Sequence, residues 1–359
     1  MHGLQLLVNA ENLADTRWSS EPLCDELAEG SLLLRVDEFA LTANNITYAV
    51  AGESMRYWQF FPAPKGWGRV PVWGFATVVK SNHEAISQGE RLYGYLPMGS
   101  HLMIQAGKVK THQITDVSQH RADLPGVYNQ LVRTPDEPEP DPDADAAQML
   151  YRPLFMTSFL LDDFAASNDF FGATDVVLTS ASSKTALGLG LLLAQRPAVR
   201  VIGVTAANNV AFAEGLGCYD QVVTYSDISH LDASRRTMSV DMAGNGDVLS
   251  ALHGHYADNL TFSCLVGATH WNQVRRGGEL AGPEPQGFFA PGHIETRNWG
   301  PGGMMGAFEP AWQTMLSAVR GRINVTRCND PKEIEAIYQR LLAGHATPDV
   351  GYVLTVPAP

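Results

Sequence analysis

The chain reads DVVLTSASSKTALGLGLLLA over residues 175–194. It opens with a short β-branched run of the kind that is buried in a parallel sheet, and small polar residues separate this run from an apolar helical stretch. A strand that leads through such a loop into a helix N-terminus holds a dinucleotide pyrophosphate in open α/β folds, because the backbone can approach closely and the helix end attracts anions. The stretch therefore predicts a dinucleotide site at residues 180–185.

The alternation of strand and helix continues toward the C-terminus. Each predicted strand is a short apolar run, and each helix between them carries apolar residues at helical spacing. The predicted strands are 175–179, 199–205, 221–225, 237–242, 260–266 and a short 287–289, and the helices are 186–194, 211–217 and 247–256. This pattern predicts a Rossmann-type, doubly wound parallel sheet over residues 151–319.

The part of the chain before this domain has a different pattern. Short strands separated by Gly, Pro and Asn are predicted at 31–36, 72–79, 91–95 and 101–104. They indicate an all-β, barrel-like segment over residues 1–150, which makes the whole chain an α/β protein. A helix at 331–342 and a strand at 352–356 close the sequence. We expect the tail 320–359 to return to the barrel, because its strand needs sheet partners that the barrel can supply.

Composition narrows the function classes. The chain has 359 residues, 45% hydrophobic and 18% charged, with a net charge of −13, which argues for a globular fold and against nucleic acid or an anionic membrane as the main partner. Part of the acidity lies in the proline-rich stretch 135–145, which is predicted to be a solvated loop, with an acidic docking arm as the alternative. No signal peptide or membrane-spanning run is recognisable, so we expect a cytoplasmic protein.

Metal ligands are not indicated. The cysteines Cys24, Cys218, Cys264 and Cys328 lack the clustered spacing of a zinc site, and none lies within the barrel strands. The close pair His253 and His255 is predicted to be solvent-exposed at the end of a helix. We therefore expect chemistry without a metal.

The order of these segments and several motifs resemble the medium-chain dehydrogenase/reductase superfamily, in particular an uncharacterised subgroup near its zinc-independent quinone oxidoreductase and enoyl reductase branch. QGERLYG at 88–94 is similar to the "GDRV-G" turn, and GLGCYDQVVTY at 215–225 is similar to "LGAD-VI-Y". Residues 240–245, with Gly244, resemble the end of the fourth strand, which passes the cofactor. Residues 36–52 resemble an early strand and turn that bring Asn44, Asn45 and Tyr48 near polar active-site positions.

The resemblance implies a GroES-like β-barrel catalytic domain, formed by residues 1–150 with 320–359, plus a Rossmann domain, together with hydride transfer and a homodimer. One departure concerns the first nucleotide loop, where family members carry glycines and this chain carries Ser180, Ser182, Ser183, Lys184 and Thr185. Hydroxyls and a lysine can still contact phosphate. Two other interpretations stay open: a P-loop, which would need glycines in place of Ser183 and Leu178, and a loop that no longer binds phosphate.

The end of the second strand bears on the choice of nucleotide. NAD-preferring folds place an acid there, whereas this chain has no acid from Thr205 until Glu214. We therefore predict NADPH, with Thr205, Asn208 and Tyr225 donating hydrogen bonds to the 2′-phosphate. No arginine or lysine follows the strand directly, so the phosphate has no strong local charge partner unless Lys184 reaches it. Helix capping is the alternative role for Asn208 and Asn209.

The predicted reaction is hydride transfer with hydrogen-bond stabilisation of a developing oxyanion. Tyr48 and Asn45 are the predicted donors, and a buried structural role is the alternative for each. One set of aromatic residues is predicted to form either the hydrophobic core or the wall of a pocket for a flat substrate. A second set is predicted to lie over the nicotinamide. The first set is Tyr57, Trp58, Phe60, Phe61, Trp67 and Trp73, and the second is Phe288, Phe289 and Trp299.

Two functions remain open at this point. One is an NADPH-dependent reductase of an activated C=C bond or a quinone. The other is a dinucleotide-binding protein without net redox turnover, either a sensor or an enzyme of non-redox carbonyl chemistry.

Overall fold

The computed structural model describes residues 2–134, 141–242, 244–266, 280–322 and 324–358. The chain divides into two compact units, one of Met1–Leu150 with Ile323–Pro359 and the other of Tyr151–Arg322. The described strands are β1 His2–Asn9, β2 Thr16–Pro22, β3 Ser31–Leu41, β4 Trp67–Gly68, β5 Pro71–Ser81, β6 Arg91–Pro97, β7 His101–Lys110, β8 Gln113–Asp116, β9 Gln130–Arg133, β10 Asp175–Thr179, β11 Arg200–Thr205, β12 Gln221–Thr224, β13 Thr237–Asp241, β14 Leu260–Leu265, β15 Gln286–Gly287, β16 Asn324–Cys328 and β17 Val350–Leu354. The described helices are α1 Ala43–Val50, α2 Pro142–Ser167, α3 Lys184–Leu193, α4 Val210–Gly215, α5 Gly246–Tyr256, α6 Ala290–Thr296, α7 Gly303–Val319 and α8 Pro331–Leu342.

The first unit is built on a closed barrel. Strands follow the order β3-β5-β6-β9-β8-β7, and β7 also pairs with β3, so the sheet closes on itself. Strand β17 pairs antiparallel with β3, with Tyr352 opposite Leu41, and β16 pairs parallel with β17. Leu32, Leu34 and Val36 of β3 point into a core that also receives Tyr338 of α8. The tail strand therefore completes the sheet of the barrel unit.

The second unit contains a six-stranded parallel sheet in the order β12-β11-β10-β13-β14-β15. Alternate residues of β10 enter two separate cores, because side chains of a strand alternate between the faces of the sheet. Val176 and Leu178 pack with Leu189 of α3, whereas Val177 packs with Leu252 of α5. Both faces are therefore covered by helices. The predicted fold class, a β-barrel plus a Rossmann doubly wound parallel sheet, is confirmed.

The acidic, proline-rich stretch needs a correction. Residues 135–140 lie outside the described residues, but helix α2 begins at Pro142, so the prediction of a loop as far as residue 145 is wrong for residues 142–145. Asp141 accepts hydrogen bonds from the backbone N–H groups of Asp143 (3.0 Å) and Ala144 (3.3 Å). Proline in the first turn and carboxylates near the N-terminus both favour a helix start. Within the residues that the structure describes, no helix is long and apolar enough to cross a membrane.

The exposed position predicted for His253 is wrong. Its side chain is completely buried, and Nδ1–H donates to the carbonyl oxygen of Ala281 at 2.7 Å. Nε2 therefore accepts from the Ser263 hydroxyl at 2.9 Å. Burial lowers the pKa of His253, and the bond to Ala281 offsets part of this effect. The partners of this histidine lie on β14 and in the segment that follows it, which the position of His253 on its helix does not reveal.

This burial predicts a pH-dependent stability. Below about pH 6.5 the unfolded chain protonates His253 while the folded chain resists it, so the unfolded state binds more protons and stability falls as the pH falls. The slope for this one proton is at most about 1.4 kcal/mol per pH unit. Urea unfolding at pH 7.5 and 5.5 should show a smaller loss for His253→Asn than for the native chain. Equal slopes in His253→Asn and in the native chain would contradict the assignment.

Candidate functional site

The loop between β10 and α3 has an unusual backbone at its first residue. Ser180 has φ of +50°, a left-handed conformation that non-glycine residues rarely adopt. Its Oγ lies 3.2 Å from the Tyr225 hydroxyl, which follows β12. Ser183 ends the loop as the N-cap of α3, and its Oγ accepts from the Ala186 N–H at 3.2 Å. The loop is therefore fixed at both ends by its own serines.

Ser182 joins the loop to the next strand end. Its Oγ lies 3.2 Å from Thr205 Oγ1 and accepts from Asn209 Nδ2 at 3.2 Å. With Ser180 and Tyr225, these groups bring neutral hydroxyls and an amide together at the carboxyl ends of three adjacent strands. Ligands of open α/β sheets bind at this edge.

Individual predicted residues differ in how they fit this arrangement. Thr205 is only 1% exposed, and its hydroxyl is hydrogen-bonded to that of Ser182. Asn208 is exposed on the turn that follows β11. Asn209, which sequence reasoning considered only for capping, is the asparagine that reaches the loop. Lys184 and Thr185 are the half-buried first residues of α3. The geometry of the turn after β11 determines whether Asn208 or Asn209 reaches the loop, and the sequence alone does not show this geometry.

The loop approaches β11 closely because position 203 is glycine. A Cβ on Gly203 would lie 2.9 Å from the Cβ of Ala181, closer than real side chains come. The N–H of Ala181 donates to the carbonyl oxygen of Val204 at 3.1 Å, which anchors the loop there. Any larger residue at position 203 would push the serine loop away from the strand end.

The end of β13 is held by a buried carboxylate. Asp241 accepts from the Thr179 hydroxyl at 2.6 Å and from the N–H of Gly244 at 3.1 Å. Gly244 has φ of +66°, so the turn that the resemblance places beside the cofactor requires glycine. Asp241 thereby links the ends of β10 and β13, a role that the sequence pattern did not reveal.

The aromatic residues predicted near the nicotinamide differ in their packing. Phe288 packs on Phe164 of α2, and Trp299 stacks on Phe159 of the same helix with ring centroids 5.9 Å apart. Phe289 precedes α6 and is 51% exposed, so its ring is available to a ligand. Only Phe289 of these three presents a largely exposed face; its predicted contact with a cofactor stays a prediction.

In the barrel unit, four tyrosines form what we call the tyrosine cluster: Tyr48, Tyr57, Tyr95 and Tyr128. Their rings are in contact, with centroids 4.7 Å apart for Tyr48 and Tyr57 and 4.7 Å apart for Tyr95 and Tyr128. The hydroxyls of Tyr57 and Tyr128 lie 3.5 Å apart, and Trp73 Nε1–H donates to the Tyr48 hydroxyl at 3.4 Å. Several phenol groups therefore converge on one region beside Trp73.

The electrostatics keep these phenols protonated. Burial raises the pKa of each tyrosine of the cluster, and the proximity of the other phenols raises the pKa of Tyr48, Tyr95 and Tyr128 further. At neutral pH all four are hydrogen-bond donors rather than phenolates. Convergent polar groups with perturbed pKa values in an aromatic surround are characteristic of binding sites.

Tyr48 and Asn45 do not lie on a strand end or turn as expected, but on helix α1. Asn45 Oδ1 accepts from the N–H of Thr42 at 2.7 Å, and Nδ2 donates to the carbonyl oxygen of Pro71 at 2.9 Å. These bonds cap α1 and tie it to β5, so Asn45 holds the helix that carries Tyr48. Its predicted role as a substrate donor stays a prediction.

The predicted aromatic group is divided among three places. Tyr57, Phe60, Phe61 and Trp73 pack with the tyrosine cluster, whereas Trp58 belongs to the barrel core. Trp67 lies beneath the guanidinium of Arg17, 4.0 Å from its ring centroid. Sequence reasoning missed Tyr95, Tyr128 and Arg121, because they come from distant segments. The signal that the sequence offered was the pair Tyr93 and Tyr95, which lie two residues apart and therefore on one face of the predicted strand.

Within residues 2–134, 141–242, 244–266, 280–322 and 324–358, no group of three or more His, Cys, Asp or Glu side chains is arranged to hold a metal ion.

Comparison with known protein families identifies the family of this chain. A family model described as "Protein of unknown function (DUF2855)" matches residues 39–347, and the chain belongs to this family. No curated protein sequence matches significantly.

Solved structures share the fold over nearly the whole chain. CurA from Vibrio vulnificus in complex with NADPH is 14% identical, with 99% of this chain and 100% of that chain covered and a TM-score of 0.61. The quinone oxidoreductase from Coxiella burnetii is 13% identical, with 99% and 100% covered and a TM-score of 0.56. The mitochondrial 2-enoyl thioester reductase Etr1p/Etr2p heterodimer from Candida tropicalis is 11% identical, with 99% and 100% covered and a TM-score of 0.56. The structural neighbours thus include the quinone and enoyl reductases that the sequence resembles.

The left-handed Ser180 gives a stability prediction. Glycine adopts this conformation without strain, whereas a β-branched residue does not, so Ser180→Val should lower the free energy of unfolding by about 1–3 kcal/mol. Ser180→Gly should stay within about 1 kcal/mol of the native value, because relief of strain offsets the greater freedom of the unfolded chain. Urea denaturation measures both, with Ser180→Ala as the control for loss of the hydroxyl. Equal stability of the Val and Ala variants would contradict the strained geometry.

Proposed function

We propose that the protein is an NADPH-dependent, metal-independent reductase of an activated C=C bond or a quinone. The observation that carries the proposal is the set of protonated phenols converging beside Tyr48. Such donors stabilise a carbonyl oxygen as negative charge develops on it, which is the main requirement of this reaction. In this proposal the barrel unit is the catalytic domain and the unit Tyr151–Arg322 binds the dinucleotide.

The donor set at the ends of β10, β11 and β12 fits a dinucleotide. Hydroxyls of Ser180, Ser182 and Tyr225 and the amide of Asn209 can donate to phosphate oxygens, and α3 begins directly after the loop. No carboxylate ends β11, so nothing at that position repels a 2′-phosphate. The similar fold of CurA, crystallised with NADPH, supports the same assignment. When bound, NADPH would supply the hydride.

The residues of this chain then have distinct tasks. Tyr48 donates a hydrogen bond to the substrate oxygen and, as charge develops there, strengthens that bond. Asn45 positions α1 through its bonds to Thr42 and Pro71. The surrounding aromatic rings lower the effective dielectric constant around the phenols, which increases the effect of each donor.

A second candidate is a dinucleotide-binding protein without net redox turnover. It is favoured by the loop itself, because Ser183 is already used as a helix cap and Thr205 is buried. Turnover assays separate the two functions: reduction of quinones or enones supports the first, and nucleotide binding without any oxidation of NADPH supports the second. The predicted homodimer and cytoplasmic location are further parts of the proposal, and light scattering after size exclusion would test the dimer.

The cofactor assignment predicts tighter binding of NADPH than of NADH. With neutral donors holding the 2′-phosphate, the preference should be on the order of 1–3 kcal/mol. Asn208→Asp should erase or invert it, since the carboxylate repels the phosphate and can accept from the ribose hydroxyls. This exposed position is a better test than Thr205, where burial would make an aspartate unfold the site. Calorimetric titration measures both affinities, with Asn208→Ala as the neutral control. Equal affinities in the native protein would contradict the assignment.

The catalytic assignment predicts a selective defect in Tyr48→Phe. A hydrogen bond that matters only in the transition state contributes to kcat, so turnover should fall by about 10²-fold while the affinity for NADPH stays unchanged. Steady-state kinetics with 1,4-naphthoquinone and 2-cyclohexenone, beside a calorimetric titration of NADPH, measure the two effects. Full activity in this variant would remove Tyr48 from the mechanism.

A further inference from the structure

Tyr95 carries the one feature of the tyrosine cluster that packing does not explain. The residue is 2% exposed, yet within the described part of the chain its hydroxyl has no hydrogen-bond partner. Buried hydroxyls in proteins are nearly always paired, since an unmade bond carries the full desolvation penalty. A folded core would be served better by phenylalanine at this position. We therefore expect the Tyr95 hydroxyl to have a role other than stabilising the core.

The position of this hydroxyl is central. The Tyr95 ring contacts rings on several sides, and its phenol is close enough to the phenols of Tyr48, Tyr57 and Tyr128 for their charges to interact. The centroid distances from Tyr95 are 5.6 Å to Tyr48, 5.3 Å to Phe60, 5.9 Å to Phe61, 5.1 Å to Trp73 and 4.7 Å to Tyr128. Trp73 and Tyr128, whose rings both contact the Tyr95 ring, are only partly buried, so this is the side of the cluster nearest to solvent. An oxygen atom that entered there would meet donors from more than one tyrosine.

The local charge favours an electron-rich group over a cation. Arg121 lies beneath the cluster, 2% exposed, with its guanidinium 4.8 Å from the centroid of the Phe61 ring. Its charge acts on Tyr95 in the direction that favours negative charge, against the larger effect of burial. Asp116 pairs with Arg121 at 3.0 Å, and its other oxygen accepts from Ser118, so the carboxylate is engaged within the barrel. Phenol donors and a buried guanidinium together suit a developing oxyanion.

We propose that Tyr95 is a second catalytic donor, which binds the same carbonyl oxygen as Tyr48, and that the substrate is therefore a flat conjugated carbonyl compound held between aromatic rings. This inference rests on the proposed function and adds to it the second donor and the shape of the substrate. In the reaction of an enone the carbon β to the carbonyl gains a C–H bond from hydride, the C=C π pair becomes the new double bond between the α-carbon and the carbonyl carbon, and the C=O π pair moves onto the oxygen, giving an enolate. A proton from water then reaches the α-carbon and restores the carbonyl, with NADPH as the two-electron reductant that leaves as NADP⁺.

The test compares Tyr95→Phe with Tyr93→Phe. Both residues lie on β6 and both rings contact Trp73, but the Tyr93 hydroxyl donates to the carbonyl oxygen of Gln148 at 3.3 Å. Tyr95→Phe should lower kcat with 1,4-naphthoquinone by about 10- to 100-fold, as loss of one oxyanion donor does. Its resistance to urea should be equal to or greater than that of the native protein, because no internal hydrogen bond is lost. Tyr93→Phe should show the reverse: native kcat and lower stability.

Native kcat in Tyr95→Phe would overturn the proposal, and so would reduced stability, which would mark the hydroxyl as structural. A second measurement does not depend on turnover. The carbonyl stretching frequency of bound 4-hydroxybenzaldehyde, recorded by infrared difference spectroscopy, should lie higher in Tyr95→Phe than in the native protein, since one hydrogen bond is missing. Equal frequencies, or no binding of the aldehyde, would also overturn it. If the native protein binds the aldehyde with the expected shift but oxidises no NADPH with any quinone or enone, the proposed reductase function fails while the Tyr95 site stands.

Discussion

The barrel unit depends on one strand that serves three partners. Strand β3 pairs along one edge with β5, while its other edge pairs first with β7 and then with β17. Irregularities in its register between Leu33 and Leu34, and between Val36 and Glu38, bend it so that one edge can serve two neighbours. Helix α1 begins two residues after β3 ends, so the position of Tyr48 follows directly from this strand. The path of β3 therefore determines three features together: the closure of the barrel, the attachment of the tail strand and the placement of the tyrosine cluster.

The two candidate sites share a physical character. At the strand ends of the second unit, Ser180, Ser182 and Asn209 offer neutral donors, and in the barrel unit neutral phenols do the same. A buried neutral donor needs less desolvation than a buried cation, and it can be aimed at one oxygen atom. The buried cation beside the cluster, Arg121, is paired with Asp116. This design fits a protein that must hold groups whose negative charge is spread out or only transient.

Periodicity predicted much of the fold, because alternation of apolar residues is a local signal. The strands of the second unit and helix α8 followed from it. The sites were less predictable. Tyr95 and Tyr128 meet Tyr48 only through barrel closure, and the choice of Asn209 over Asn208 depends on one turn after β11. His253 was misjudged because its burial is caused by strands that lie beyond its own helix. Such contacts join residues far apart in sequence, and one sequence read alone carries little sign of them.

The pairing of β17 with β3 also sets an order of events during folding. Tyr352 must find Leu41 across the whole intervening second unit, so this contact has a very large separation along the chain. Closing so long a loop costs conformational entropy, and contacts of this kind form slowly. The second unit, by contrast, is one continuous segment, Tyr151–Arg322, which can fold as it leaves the ribosome. The edge of β3 that pairs with β17 therefore stays uncovered until residues 350–354 have been synthesised, and an uncovered strand edge can pair with other chains.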